Sequence, residues 1–265
     1  MKARGFTLIE LVIAITISAI VVIFAAMFIG APLGAYETHS RRAELVADTS
    51  GAWPRMEMDL REALPNSLRT RRNGNFVVIE MLAVASVARY MDPPSAPFRT
   101  AGRLPPGVFN DHYLWVNNSA TPDGDPYSVA GSMTPAGTVI TIVDGATGQS
   151  VVTTAPAAAF AVNSPRRRIY LLSGPVTYLC DEAQGTLRRY YRYTLASNHA
   201  ARDTPAELTT AGAANALVAQ GLTSCNFDVS PLNATQSQTA AVRLTTTRSG
   251  DVVSLSRSSR AEFAP

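Results

Sequence analysis

By hydropathy pattern the chain divides into an unbroken apolar run, an amphipathic stretch and a long alternating region. From Leu11 to Ala31 runs LVIAITISAIVVIFAAMFIGA, without a single charge. As a helix this run would extend roughly 31 Å at ~1.5 Å per residue, enough to cross a bilayer. No proline interrupts it before Pro32, so each amide can be satisfied inside the helix, as hydrocarbon requires. Beyond Pro32, apolar residues recur at helical spacing through Tyr36, Ala43, Ala47, Ala52, Met56, Leu60 and Leu64. Glu37, Arg41, Arg42, Glu44, Asp48 and Arg55 stand between them. One long helix is expected, kinked or broken at Pro32 and Pro54 and stopped after Leu64 by Pro65-Asn66.

From Ser67 onward β-branched and aromatic runs alternate with Gly, Pro, Asn and Asp clusters, which predicts an antiparallel sheet and an α+β fold. Candidate strands are Phe76–Leu82, Val84–Tyr90, Tyr113–Val116, Thr138–Val143, Val151–Thr154, Ile169–Leu172, Val176–Cys180, Leu187–Thr194, Cys225–Val229, Ala241–Thr246 and Val252–Ser256. Two hairpins are expected. Asp-Glu-Ala-Gln-Gly-Thr joins Val176–Cys180 to Leu187–Thr194, and Arg248-Ser249-Gly250-Asp251 joins the last two strands. The turn-rich segments Asp92–Asp111 and Asn117–Gly137 read as surface loops. The resulting organisation is a transmembrane half of the helix over 6–31, an amphipathic half over 32–64 and a β-rich head over 65–265.

Composition narrows the function. With 265 residues, 46% hydrophobic and 16% charged, the chain is excluded from the disordered class. Its net charge is +3, and Lys2 is its only lysine; removing Lys2 and Arg4 would lower the charge to +1, with every remaining cation an arginine. That balance argues against nucleic acid or an anionic lipid surface as a partner held by a global basic field. Arginines do cluster at Arg69, Arg71 and Arg72, at Arg166–Arg168, and at Arg188, Arg189 and Arg192, the last beside Tyr190 and Tyr191 as stacking candidates. Such clusters at strand ends are more often solvated faces or ion-pair partners. His39, His112 and His199 are far apart, and with two cysteines they do not make a zinc site, so no cofactor is expected. Asp123-Gly124-Asp125 could offer oxygens to calcium but lacks the further acid of an EF-hand and reads equally as a turn. No nucleophile elbow, phosphate loop or His-Glu-x-x-His is present, and no enzyme activity is expected.

The N-terminus carries the main signal. Lys2 and Arg4 precede the apolar run, which by the positive-inside rule keeps the N-terminus cytoplasmic and sends the remainder across the membrane. A cleaved secretory signal would show the same basic start, but its apolar core is shorter, at about 7 to 15 residues. Neither that reading nor a plain signal anchor accounts for Glu10, a carboxylate at the edge of the apolar run that asks for a partner. In an exported head Cys180 and Cys225 can either bridge or remain two buried thiols. An oxidising compartment favours the bridge.

Arg4-Gly5-Phe6-Thr7-Leu8-Ile9-Glu10-Leu11 resembles the prepilin signature of type IV pilins and type II secretion pseudopilins. The resemblance implies a leader over residues 1–5, cut between Gly5 and Phe6 by a membrane prepilin peptidase, with Phe6 N-methylated as the first mature residue. It further implies that Glu10 meets the N-terminal amine of a neighbouring subunit. Physically the pair is coherent, because Glu10 lies about 6 Å along the helix from Phe6 at ~1.5 Å per residue, and staggered neighbours in lipid would set register through it. The helix-then-sheet order also resembles the pilin-like fold. Leu60-Arg61-Glu62-Ala63-Leu64-Pro65-Asn66-Ser67-Leu68-Arg69 and Gly174-Pro175-Val176-Thr177-Tyr178-Leu179-Cys180 resemble segments of the MshO class of minor pilins in mannose-sensitive haemagglutinin pili. The J class of minor pseudopilins is the competitor. The implied function is a structural or priming subunit of the inner membrane with a periplasmic head. Its implied partners are major and minor pilins, prepilin peptidase, the pilus assembly platform and membrane lipid. A tip module gripping DNA or a surface is the rival from another class.

Overall fold

The computed structural model describes residues 7–116, 126–127, 131–161, 163–230 and 238–261, with backbone alone at 29–35, 37–38 and 48. Its first helix, α1 (Leu8–Ser50), runs through Pro32 without a break. The expected break falls instead at Gly51-Ala52, ahead of α2 (Trp53–Arg61), which carries Pro54 in its first turn. The physical reason is in the ladder: Pro54 has no N–H for the carbonyl of Ser50 and its ring crowds that carbonyl, so α1 ends at Ser50 and Pro54 opens the next helix. The chain divides into two units, one ending at Ala47 and the other beginning at Asp48, a boundary inside α1 rather than at its end. In the first, the span Leu8–Phe28 is long and apolar enough to cross a membrane and none of it is buried. Apolar residues surround this part of the helix on all sides, which leaves no polar face for water.

In the second unit, α2 ends at Arg61 rather than at Leu64. Main-chain bonds from Leu64 N–H to the Leu82 carbonyl (2.8 Å) and from Val84 N–H to the Glu62 carbonyl (3.0 Å) pull the chain onto a strand and stop the helix early. Of the expected apolar stripe, Ala52, Met56, Leu60 and Leu64 are fully buried, while Tyr36, Ala43 and Ala47 are exposed. Each large side chain so buried stabilises the head by about 1.5–3 kcal/mol.

Ten strands form the main sheet: β1 (Arg69–Asn73), β2 (Phe76–Tyr90), β3 (Phe98–Ala101), β4 (Gly107–Phe109), β5 (Tyr113–Val116), β6 (Val139–Asp144), β7 (Gln149–Ala155), β8 (Arg168–Asp181), β9 (Thr186–Tyr191) and β10 (Ala214–Gln220). A second sheet holds β11 (Leu222–Val229), β12 (Gln238–Arg248) and β13 (Asp251–Ala261). Every pairing is antiparallel. The long β2 and β8 pair from Phe76↔Asp181 to Arg89↔Arg168 and are shared by two lobes. In one lobe β1 flanks β2 while β9 and β10 extend from β8; in the other β5 flanks β8 while β3, β7, β6 and β4 extend from β2. The four separate strands expected over 76–90 and 169–180 are therefore two, each continuous across an irregularity at Ala83–Ser86. Gly174-Pro175 lies opposite it, where a missing N–H is tolerated.

The expected loop Asp92–Asp111 is corrected by the structure: it holds β3 and β4 and buries Phe98 and Leu104. Asn117–Gly137 lies largely outside the described residues, though Tyr127 within it is buried. Both hairpins form, with Asp181 opposite Thr186 and Arg248 opposite Asp251. Ser249 (φ 52°) and Gly250 (φ 85°) are both left-handed, as a two-residue turn with the strands' own twist requires. One core lies between α2, the β2–β8–β9 lobe and the second sheet, through Met56, Leu60, Ile79, Tyr178, Phe227 and Leu244. On the opposite face α3 (Pro205–Thr210) brings Leu208 against Val78, Leu179 and Tyr190.

Candidate functional site

The start of α1 is built by its own first turn. Thr7 precedes the helix, and its Oγ1 accepts the Glu10 N–H at 3.3 Å. Glu10 Oε2 accepts in return from Thr7 N–H (3.2 Å) and from Thr7 Oγ1 (3.0 Å). This reciprocal box satisfies helix-end donors that lipid would leave bare. Thr7 is a functional residue of this turn beside Glu10, and its signal in the sequence is the spacing Thr-x-x-Glu. Among the described residues Glu10 Oε1 takes no hydrogen bond, which leaves one carboxylate oxygen open for another donor. Gly5 and Phe6 lie outside the described residues.

Cys180 and Cys225 are joined in a disulfide. It connects the end of β8 in the main sheet to β11 in the second, two strands that share no ladder. A polar clasp surrounds it. Arg72 donates to Glu182 at 2.7 Å and to the Cys225 carbonyl at 3.0 Å, while Glu182 accepts the Cys225 N–H at 2.9 Å. The Arg72 guanidinium first, and the Cys225 amide after it, hold the Glu182 carboxyl below its ordinary range against partial burial.

Among the described residues, four of the nine clustered arginines meet acids. Arg69 meets Glu80, Arg71 meets Asp203, Arg72 meets Glu182 and Arg189 meets Asp59. Tyr190 is buried, so its ring is not a surface for stacking. The calcium candidate Asp123-Gly124-Asp125 lies outside the described residues.

Glu80 and His199 form a buried polar pair that the linear pattern did not announce. Glu80 is fully buried, with Arg69 at 2.8 Å on one oxygen and His199 Nε2 at 4.0 Å from the other. Burial pushes the Glu80 carboxyl up, although Arg69 opposes. Burial, aided by Arg69 and Arg71 and opposed by Asp203, lowers His199 to about 4. A histidine whose folded value is depressed contributes stability that is present above ~6.5 and lost as pH falls towards 4. Glu80 works in the opposite sense above the ordinary carboxylate range, because its raised folded value favours proton uptake by the native state. For His199→Gln, denaturant unfolding at pH 7 and pH 4 should show a drop smaller than the wild-type drop by up to about 3 kcal/mol. Equal drops would mean that His199 does not drive the acid sensitivity.

Among known proteins, the family described as prokaryotic N-terminal methylation motif matches residues 1–26. Neither a curated protein nor a solved structure matches the chain. The matched segment indicates a type IV pilin-like prepilin, which implies a structural subunit processed by prepilin peptidase and assembled with other pilins, and the apolar helix over Leu8–Phe28 is consistent with a single-pass anchor.

Proposed function

We propose that the chain is a minor type IV pilin of the MshO-like class, a structural or priming subunit in pilus assembly. Prepilin peptidase cuts between Gly5 and Phe6, Phe6 is methylated, α1 holds the protein in the inner membrane and the head lies in the periplasm. Glu10 then takes the N-terminal amine of a neighbouring subunit. The observation that carries this reading is the methylation motif over residues 1–26 overlapping an apolar span, Leu8–Phe28, with an acid in its first turn. Apolar area alone would anchor the chain; the acid adds register, because either charge left unpaired in hydrocarbon is costly.

Mass spectrometry of the membrane-bound protein tests the processing step. The native chain should begin at methylated Phe6, and Gly5→Ala should leave Met1 in place on essentially all molecules. A native chain that keeps Met1, or one cut beyond Ala31, rules the reading out. A deletion strain separates the two filament classes: loss of surface pili with intact export of folded proteins fits a pilin, and the reverse assigns a pseudopilin.

A further inference from the structure

Two guanidiniums share one carboxylate at the junction of α2, β9 and β10. Asp59, nearly buried, accepts from Arg189 Nε at 2.5 Å, from Arg189 Nη2 at 3.2 Å and from the Tyr178 hydroxyl at 2.6 Å. Arg55 Nη2 stands 3.5 Å from the same carboxylate. Tyr178 is neutral in this role, since burial and Asp59 both raise its phenol above the ordinary value. Among the described residues, then, two positive charges face one negative charge. Arg55 and Arg189 line a cleft of about 500 Å³ walled by Gly51, Tyr191, Ala216, Leu217 and Val218.

The walls narrow the class of ligand. Ala216 lies opposite Arg189 in the β9–β10 register, so only a methyl group stands where a larger side chain would cover the guanidinium. The Tyr191 ring lies 4.8 Å from Arg189, and Leu217 is half exposed beside it. β10 is the outermost strand of its lobe, pairing with β9 on one side and with no strand on the other among the described residues. A register shift between Leu217 and Ala219 ends the regular edge, leaving Ala214–Leu217, roughly 13 Å at ~3.3 Å per residue. Arg189 spends Nε–H and one Nη2–H on Asp59 and keeps its remaining N–H donors for a second acceptor, and the strand edge beside it suits an extended chain. A single carboxylate on an extended chain fits what remains.

We propose that this cleft docks an acidic extended segment of a neighbouring filament subunit: the segment lies along Ala214–Leu217 by strand addition and places one Glu or Asp carboxylate between Arg55 and Arg189. Only the neighbour's identity as a filament subunit rests on the proposed function; the cleft's preference for an acidic peptide does not.

The test titrates the full chain in detergent micelles with a blocked Thr-Val-Glu-Val-Thr peptide and, separately, with inorganic phosphate. NMR follows Arg189 Nε and the Leu217 amide. The peptide should shift both signals saturably, its Glu-to-Gln version and Arg55→Gln should each bind roughly tenfold more weakly, and added salt should weaken binding. Ala216→Phe fills the cleft while keeping both charges and should remove binding, with an unchanged far-ultraviolet spectrum and an intact disulfide as the check on folding. No saturable shift, equal binding by wild type and both variants, or tighter binding of phosphate than of peptide would each overturn the assignment. Peptide binding by a protein absent from filaments would support the cleft and reject the filament reading separately.

Discussion

Glu10→Ala should leave the protein inserted, cut and methylated, yet reduce its incorporation into filaments by roughly a hundredfold, measured as the ratio of sheared to membrane-bound protein by immunoblot. The argument begins with the two jobs that one side chain can do. In the structure Glu10 Oε2 closes the first turn of α1 through Thr7, and among the described residues Oε1 takes no hydrogen bond. Loss of the cap frays a helix end; loss of the charge removes the partner of a neighbour's amine in lipid. Glu10→Gln separates these, because an amide oxygen still accepts from Thr7 but carries no charge. If pairing with an amine is the role, Glu10→Gln should fail to assemble much as Glu10→Ala does. Thr7→Val should instead keep assembly while loosening the helix start. Normal assembly by Glu10→Gln would assign the residue to capping alone.

Replacing Cys180 and Cys225 with alanine should destabilise the head by about 4 kcal/mol, from the entropy of closing a loop whose ends are separated by 45 positions. For a head of this size that corresponds to a fall in Tm of roughly 8–16 °C. The bridge has this leverage because, among the described residues, β11 pairs only with β12 and no ladder ties the second sheet to the first. What remains without it includes the Arg72–Glu182 clasp on Cys225, the main-chain bond from Leu222 N–H to the Gly185 carbonyl at 3.0 Å, the buried bond from Leu68 N–H to Gln238 at 3.1 Å and the shared apolar core. Thermal unfolding with and without reductant reads the effect. A Tm unchanged by reduction would show that these contacts alone dock the sheet.

Both expectations draw on features of different legibility. Glu10 stood out because a charge within an apolar run has no local explanation, and the cysteines because the helix ahead of them directs the head to an oxidising compartment. β1 was hidden, since Arg69, Arg71, Arg72 and Asn73 carry no apolar alternation. Its stability comes from acids supplied far along the chain, Glu182 and Asp203, and from pairing with β2. β3 and β4 were masked by prolines and glycines that the pattern assigns to turns, although Phe98 and Leu104 between them are core residues. The paired strands over 76–90 and 169–180 looked like four because Ala83 and Gly174-Pro175 interrupt the alternation, and in the fold that interruption is a bulge within continuous strands.

What the sequence by itself determined is what depends on neighbours along the chain: the apolar span, the Thr7–Glu10 box, the stop at Ser50 imposed by Pro54, the two hairpin turns and the order helix then sheet. These follow from spacing, hydrogen-bond reach and the missing N–H of proline, all of which act within a few residues. Only the tertiary structure decided which strands share a sheet, that the Cys180–Cys225 bridge expected from the sequence joins two different sheets, and which acids Arg69, Arg71, Arg72 and Arg189 meet. Charge pairs carry no directional mark in sequence; a guanidinium takes whichever carboxylate folding brings within reach, and Asp59, serving two arginines at once, belongs to that class.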